Sequence, residues 1–338
     1  MSKKPNRYKD IYIASGLKKD YLSDDEVFAT AYAKTQSVEK FNKSQIVAKN
    51  NTSKYKNIAG LDGFVFQDSE DIDFRTLNLF YTRQNIYKNL AIGVDGGVFS
   101  IQKKGVAKYD GIAYGVSLLL EGFKLRVGIN NFEDFSEVVP TLSYQNSYNG
   151  HNYALEYTHQ NALFYTYSLC PYEQKIDVEH FNVSDYKSFK NNTDLWMSLD
   201  LNLFENSDTE VTAQYDWRFY HGSFFRQKFS YHTALEGWYT THTNPNGCFY
   251  SPKFSDATLL RVDPVFRFSN QISLKGQFGV GYSFEENTVP YKYGAWAFGD
   301  ILKDFSYNVG CLYSNISRLS SSGNYNYKEC RLNMGYKW

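Results

Sequence analysis

The chain has 338 residues, is 18% aromatic with 30 Tyr and 26 Phe, and balances 36 Lys and Arg against 36 Asp and Glu. Zero net charge supplies no global field for nucleic acid, and no run of about eighteen apolar residues offers a membrane-spanning helix. A mean hydropathy of −0.51 beside so many aromatics suits strands with a single apolar face, since a spanning β-strand needs only about ten residues, half of them polar.

Residues 1–56 stand apart, with 12 Lys and Arg against 6 Asp and Glu. Basic residues occur there without an apolar run or a small-residue cleavage site, so no export signal is expected in them. Ser23, followed by Asp24, Asp25 and Glu26, reads as an N-cap with an acidic first turn. Val27, Phe28, Ala31 and Tyr32 then share one helical stripe. This helix reads either as the tail of a helical-repeat array or as a terminal helix docked on the domain that begins at Asn57. The polar stretch 40–56 reads as a linker.

From Asn57 onward the apolar period becomes two. Leu195, Met197, Leu199, Leu201 and Leu203 alternate with Trp196, Ser198, Asp200 and Asn202. Val211, Ala213, Tyr215, Trp217 and Phe219 alternate with Thr212, Gln214, Asp216 and Arg218. Leu274, Phe278, Val280 and Tyr282 oppose Lys275, Gln277, Gly279 and Gly281, and the same rhythm runs through 305–313. Sixteen strands are expected, at 57–67, 73–83, 89–101, 109–120, 123–132, 138–147, 151–160, 163–169, 193–204, 209–220, 226–240, 257–269, 271–284, 291–302, 304–317 and 325–338. Tight turns such as Glu121-Gly122 and Ser269-Asn270 separate some of them. Longer polar loops at 170–192, 241–256, 285–290 and 318–324 separate others.

Short turns at one end and long loops at the other are how an up-and-down barrel in an outer membrane is built. The polar faces carry full charges, including Lys124, Arg126, Asp216, Arg218, Arg261, Asp263 and Arg267. A water-filled lumen accommodates such charges cheaply, whereas a packed interior requires each one to be paired. The expected fold is therefore all-β: a 16-stranded antiparallel transmembrane β-barrel over 57–338, preceded by a short, partly helical segment over 1–56. The terminal run from Lys328 to Trp338 puts Leu332, Met334, Tyr336 and Trp338 on one face. Outer-membrane barrels as a group are recognised by their assembly machinery through such a last strand ending in an aromatic residue. Pairing with GLDGFVFQ at 60–67 removes the exposed hydrophobic edge that the run would otherwise leave.

The candidate lumen residues are Trp196, Gln214, Asp216, Arg218, Trp238, Arg261, Asp263, Arg267, Lys275 and Gln277. Their mixed signs argue against an ion-selective pore, in which one sign dominates. Trp238 and Trp196 read either as ring surfaces for a sugar or as braces beneath a loop. The six histidines, at 151, 159, 180, 221, 232 and 242, form no HExxH and no close pair, so no metal site is expected. Ser230 and His232 share a face but make no catalytic relay alone, and Asp71 and Asp73 read as an acidic turn. Cys170, Cys248, Cys311 and Cys330 show no CxxC spacing, so no disulfide framework is expected. No cofactor and no bond chemistry are expected.

Three stretches resemble the C-terminal barrel domain of the cellulose synthase operon protein C family. They are GLDGFVFQDSEDIDFRTLNLFY, INNFEDFSEVVPTLSYQNSYNGHNYALEYTHQNALFYTYSL and NPNGCFYSPKFSDATLLRVDPVFRF. That family has a G-x-[FY]-[FY]-S-P element leading into a strand, matched here by Gly247, Phe249, Tyr250, Ser251 and Pro252, and often ends in tryptophan. The resemblance implies an outer-membrane pore that passively exports an exopolysaccharide, a cellulose-like glucan. Its partners would be outer-membrane lipid, the secreted polymer and an inner-membrane synthase. The family's signal peptide and tetratricopeptide repeats have no counterpart here beyond the helix at 23–36, so a separate periplasmic helical-repeat subunit is implied. A general diffusion porin and an outer-membrane enzyme are the alternative readings. The loops NPNGCFYSPKF and TYSLCPYEQKI read either as inward-folded gates or as exposed caps.

Overall fold

A computed structural model describes residues 57–338 apart from 88–89, 149–150, 190–192, 225–227, 245–248, 250, 270, 303 and 317–324. The helix and linker expected within 1–56, and Gly247 and Tyr250 of the loop motif, lie outside the described residues.

Sixteen strands close into one antiparallel barrel, each paired with its sequence neighbours and the last with the first. In order they are β1 (Asn57–Asp68), β2 (Ile72–Tyr87), β3 (Leu90–Lys103), β4 (Ala107–Leu120), β5 (Phe123–Phe132), β6 (Ser136–Tyr148), β7 (His151–Asn161) and β8 (Asp177–Phe189). Then come β9 (Thr193–Phe204), β10 (Thr209–Phe224), β11 (Phe229–His242), β12 (Phe254–Arg267), β13 (Ser273–Tyr282), β14 (Tyr291–Leu302), β15 (Phe305–Ser314) and β16 (Tyr327–Lys337). Closure runs from Ile58 opposite Lys337 to Asp68 opposite Tyr327. Beyond that ladder Asn57 and Trp338 exchange backbone hydrogen bonds of 3.0 and 3.1 Å.

The alternation read from the sequence sorts residues between two environments. Leu195, Leu201 and their neighbours Met197, Leu199 and Leu203 point outward, the last three well exposed, while Ser198, Asp200 and Asn202 are buried on the inner side. The same division recurs in Leu118, Leu120, Leu125 and Val127 outside against Ser117, Leu119, Lys124 and Arg126 inside. Aromatic rings mark both outer rims. Tyr336 stacks on Trp338 at 5.4 Å near the short-turn end, and Tyr293 stacks on Tyr313 at 5.1 Å near the long-loop end. An apolar outer band between two aromatic girdles is the surface that a spanning barrel presents to lipid.

Two neighbouring elements differ from expectation. The segment expected as a strand at 163–169 is helical, forming α1 (Leu163–Thr166) and α2 (Leu169–Gln174), and the eighth strand is Asp177–Phe189, inside the expected loop 170–192. The strand count therefore agrees while one member is exchanged. Asn161 initiates α1 by accepting the Leu163 N–H at 3.0 Å, and Tyr167 and Lys175 end the two helices in left-handed conformations. The apolar run ALFYTY is buried by the barrel's inner wall rather than by lipid, which is why it need not alternate.

The disulfide expectation is also corrected: Cys311 and Cys330 are bonded across β15 and β16, and Cys170 in α2 is disulfide-bonded as well. The lack of CxxC spacing was uninformative because a cross-strand bond is set by register, not by sequence separation.

Placing an arginine at the middle of the lipid band tests the assignment of faces. Leu199→Arg is expected to lower unfolding free energy in lipid vesicles by about 2–4 kcal/mol, against about 0–1 for Leu302→Arg near the rim. Denaturant titration of the reconstituted barrel measures both.

Candidate conduit and its lining

The loops joining odd to even strands gather at one end, and the longest of them fold inward. α1 and α2 lie against Phe64 and Phe66 of β1, Phe74 of β2, Phe99 of β3 and Phe132 of β5, forming the largest apolar cluster among the described residues. Phe164 meets Phe99 edge-on at 5.1 Å, and Tyr167 stacks on Phe66 at 4.8 Å. Tyr172 donates its hydroxyl to Asp134 at 3.3 Å, and burial beside that carboxylate pushes its pKa up to about 12. The neighbouring Phe249 packs on Phe204, Ala162 and Val178, and Ser251 is buried beside it while Pro252 is half-buried. Ile316 reaches in from the last loop to pack with Trp238, Ala257 and Leu259. TYSLCPYEQKI and, within NPNGCFYSPKF, Phe249 and Ser251 are thus turned inward, and Trp238 lies beneath a loop as a brace would.

Below the loops, inward charges form a connected network rather than a solvated lining. The Arg261 guanidinium is fully buried and contacts Asp216 at 2.8 Å, Glu236 at 2.5 Å and Asp263 at 3.0 Å. Lys275 pairs with Asp263 at 3.4 Å, Lys292 pairs with Glu236, and Arg218 approaches Asp216 at 4.0 Å. Arg126 clamps Asp95 on the far wall through bonds of 3.0 and 2.6 Å. The expectation of cheaply solvated lumen charges is corrected on this wall: the groups are buried, and pairing supplies what water would have given. Gln277 is buried beside Lys275 on β13, whereas Gln214, Trp196 and Arg267 keep partial exposure.

One row of register partners crosses half the barrel. It runs from Lys275 to Trp296, Gly310, Arg331, Phe64, Thr76, Phe99, Gly111 and Phe132. Strands in a closed barrel tilt against its axis, so a row perpendicular to them climbs. Lys275 is the third residue of β13, near the short-turn end, and Phe132 is the last residue of β5, at the loop end. Along this row Lys275 lies over the Trp296 ring at 5.8 Å and Arg331 over Phe64 at 5.1 Å. Trp296 was not among the lumen residues expected from the sequence. Its indole lies flat on the wall because Gly294 and Gly310 leave room; a Cβ on either would collide with the ring. The sequence signal was an inward tryptophan two residues from an inward glycine, with a second glycine one strand away.

Two more groupings were hidden. A β-bulge between Arg218 and Tyr220 reverses the parity of β10 and turns His221 inward, so its ring meets His232 at 3.2 Å. This corrects the expectation of no close histidine pair, although no group of three metal-ligating side chains occurs among the described residues. At the closing strand Met334, Tyr336 and Trp338 are exposed on the outer face with Leu332 beside them, paired between β15 and β1.

No family model matches the chain, and no curated protein matches it. Among solved structures it is similar to a bacterial polysaccharide outer membrane secretin at 11% identity and a TM-score of 0.65, over 83% of this chain and 98% of that one. CdiB from Acinetobacter baumannii aligns at 10% identity and a TM-score of 0.49, over 83% of this chain and 60% of that one. An anion-selective porin from Comamonas acidovorans aligns at 9% identity and a TM-score of 0.42, over 83% and 98%. The first likeness shows the fold, a closed antiparallel β-barrel; the other two carry no argument.

Removing the central cation tests the network. Arg261→Met leaves Asp216 without its nearest counter-charge and is expected to cost about 3–5 kcal/mol, the usual penalty for an uncompensated buried charge. Denaturant unfolding in detergent micelles measures it.

Proposed function

We propose that this barrel is an outer-membrane pore that conducts a secreted exopolysaccharide, a cellulose-like glucan, outward without bond chemistry. The observation that carries the reading is the climbing row of Trp296, Phe64, Phe99 and Phe132, the last three lying beneath α1 and α2. A pyranose presents apolar C–H faces and polar edges. Aromatic faces receive the former through stacking, and a half-buried polar neighbour such as Arg331 receives the hydroxyls. Trp296 is half-exposed on the wall, whereas Phe64, Phe99 and Phe132 are buried under α1 and α2. These three would meet sugars only when the helices move aside, so that translation would meet several weak sites instead of one deep trap.

The inward-folded loops stand at the end of that row, with Phe164 against Phe99 and Phe132. In this reading they narrow the exit. The other lining residues, Trp196, Gln214, Asp216, Arg218, Trp238, Arg261, Asp263, Arg267 and Gln277, make a mixed-charge wall that a neutral polymer passes without strong binding. The resemblance of three sequence stretches to the cellulose synthase operon protein C family supports the same function. So does the fold shared with a polysaccharide outer membrane secretin. The driving force would come from an inner-membrane synthase, with a periplasmic helical-repeat element between. Leu332, Met334, Tyr336 and Trp338 would present the strand read by the assembly machinery.

Bilayer recording tests the proposal. Cello-oligosaccharides are expected to interrupt the ionic current, and Trp296→Ala to shorten each interruption about tenfold, the upper range for loss of one aromatic contact. Free passage of small solutes, with no interruption by oligosaccharide in either protein, would instead assign a general diffusion porin.

A further inference from the structure

β15 and β16 form the final hairpin of the barrel, and Cys311 and Cys330 are direct register partners within it. Both belong to the outward parity. Cys311 follows Val309 and precedes Tyr313; Cys330 precedes Leu332 and Met334. Val309 and Met334 are exposed on the outer wall, and Tyr313, stacked on Tyr293, marks the aromatic rim above them. Lys328, exposed on the same face and opposite Tyr313, marks that rim on β16, so the bonded sulfurs lie on the lipid-facing wall immediately below the rim.

We infer that the Cys311–Cys330 bond is made in the aqueous periplasm, before β16 closes on β1, by exchange with the disulfide of a periplasmic oxidant protein. The reason is chemical. Exchange needs a thiolate, whose pKa near 8.5 in water rises in apolar surroundings. Among acyl chains there is neither a thiolate nor room for a protein oxidant, and the released protons have no acceptor. In water every part is present. One cysteine thiolate attacks a sulfur of the oxidant's disulfide, forming a mixed disulfide and displacing the oxidant's other sulfur as thiolate. The second thiolate attacks the Sγ of the first, and the oxidant leaves as a dithiol. It has taken two electrons, and the two protons lost by the cysteines return to its sulfurs through water. The compartment is oxidising enough for the product to persist.

Oxidation at this stage fixes the last two strands relative to each other. Because the partners are directly opposed, the bond is compatible with the register of β15 and β16 and opposes a one-residue slip that would exchange the lipid and lumen faces of one strand relative to the other. The hairpin then reaches the membrane with its greasy side already defined. Once β16 has paired with β1, the bond lies beyond the reach of soluble reductants.

Pulse-labelled cells, quenched with a maleimide, separate the two possible orders. Peptide mass spectrometry of the 311–330 cross-link keeps the readout clear of Cys170, and heat-modifiable gel mobility separates unfolded from folded barrel. The cross-link is expected to be nearly complete in the unfolded pool. A folded pool with both thiols reduced, oxidising later, would overturn the inference. As a second measurement, reduced chain is refolded into lipid vesicles and mixed with a purified disulfide oxidase. Oxidation at this pair is expected to be at least about tenfold slower than for the same chain in urea. Equal rates would overturn it, whereas a reduced chain that refuses to fold would itself place oxidation first.

Discussion

Everything in this molecule depends on the pairing of β1 with β16. An open sheet of sixteen strands would leave two long rows of unsatisfied backbone N–H and C=O groups in hydrocarbon, each costing several kcal/mol. The ladder from Ile58 opposite Lys337 to Asp68 opposite Tyr327 removes both rows at once. Closure also fixes parity: with a side-chain period of two, one residue of slip at the seam would either turn the Phe64 and Phe66 face of β1 to lipid or turn Leu332 and Met334 of β16 into the lumen. The seam is where the last residue, Trp338, exchanges hydrogen bonds with Asn57.

Closure has a second consequence, because a closed tilted sheet turns a lateral row of residues into a ramp. Lys275, Trp296, Arg331, Phe64, Phe99 and Phe132 are far apart in the chain, yet their register strings them from one opening toward the other. Glycines at 294 and 310 let the Trp296 ring lie flat against the wall. The wall from β10 to β14 works differently. Arg261 gathers Asp216, Glu236 and Asp263 into a rigid patch that presents little free charge. Loops packed on the inner aromatics then restrict the far opening, so the interior divides into an ionic wall, an aromatic ramp and a covered mouth.

Much of this was legible because lipid enforces a simple rule. Strands such as β9 and β13, with leucine or valine at alternate positions, declare themselves since their outward residues must be apolar. β8 does not: Asp177, Glu179, Asp185 and Lys187 lie on its outward face and leave only Phe181, Val183 and Phe189 as apolar markers. The segment at 163–169 misled for the opposite reason, being apolar through burial under the barrel's own rings. The His221–His232 contact was unreadable because one bulged residue inverts the parity that alternation implies. Trp296 was missed because its role is set by glycines on its own and the neighbouring strand. Contacts that depend on register between distant strands, including the Cys311–Cys330 bond, leave no local pattern.

The five tryptophans, Trp196, Trp217, Trp238, Trp296 and Trp338, divide between the two faces and so report directly on which side meets lipid. Trp217 and Trp338 are exposed on the outer wall, and Trp196, Trp238 and Trp296 point inward. The measurement is fluorescence of single-tryptophan variants, the others changed to phenylalanine, refolded into vesicles of brominated lipid. A closed barrel with lipid only on its outside predicts strong quenching of Trp217 and Trp338 and none of the inward three. Quenching of the inward three to the same extent, or of none of the five, would contradict a closed cylinder with lipid outside it.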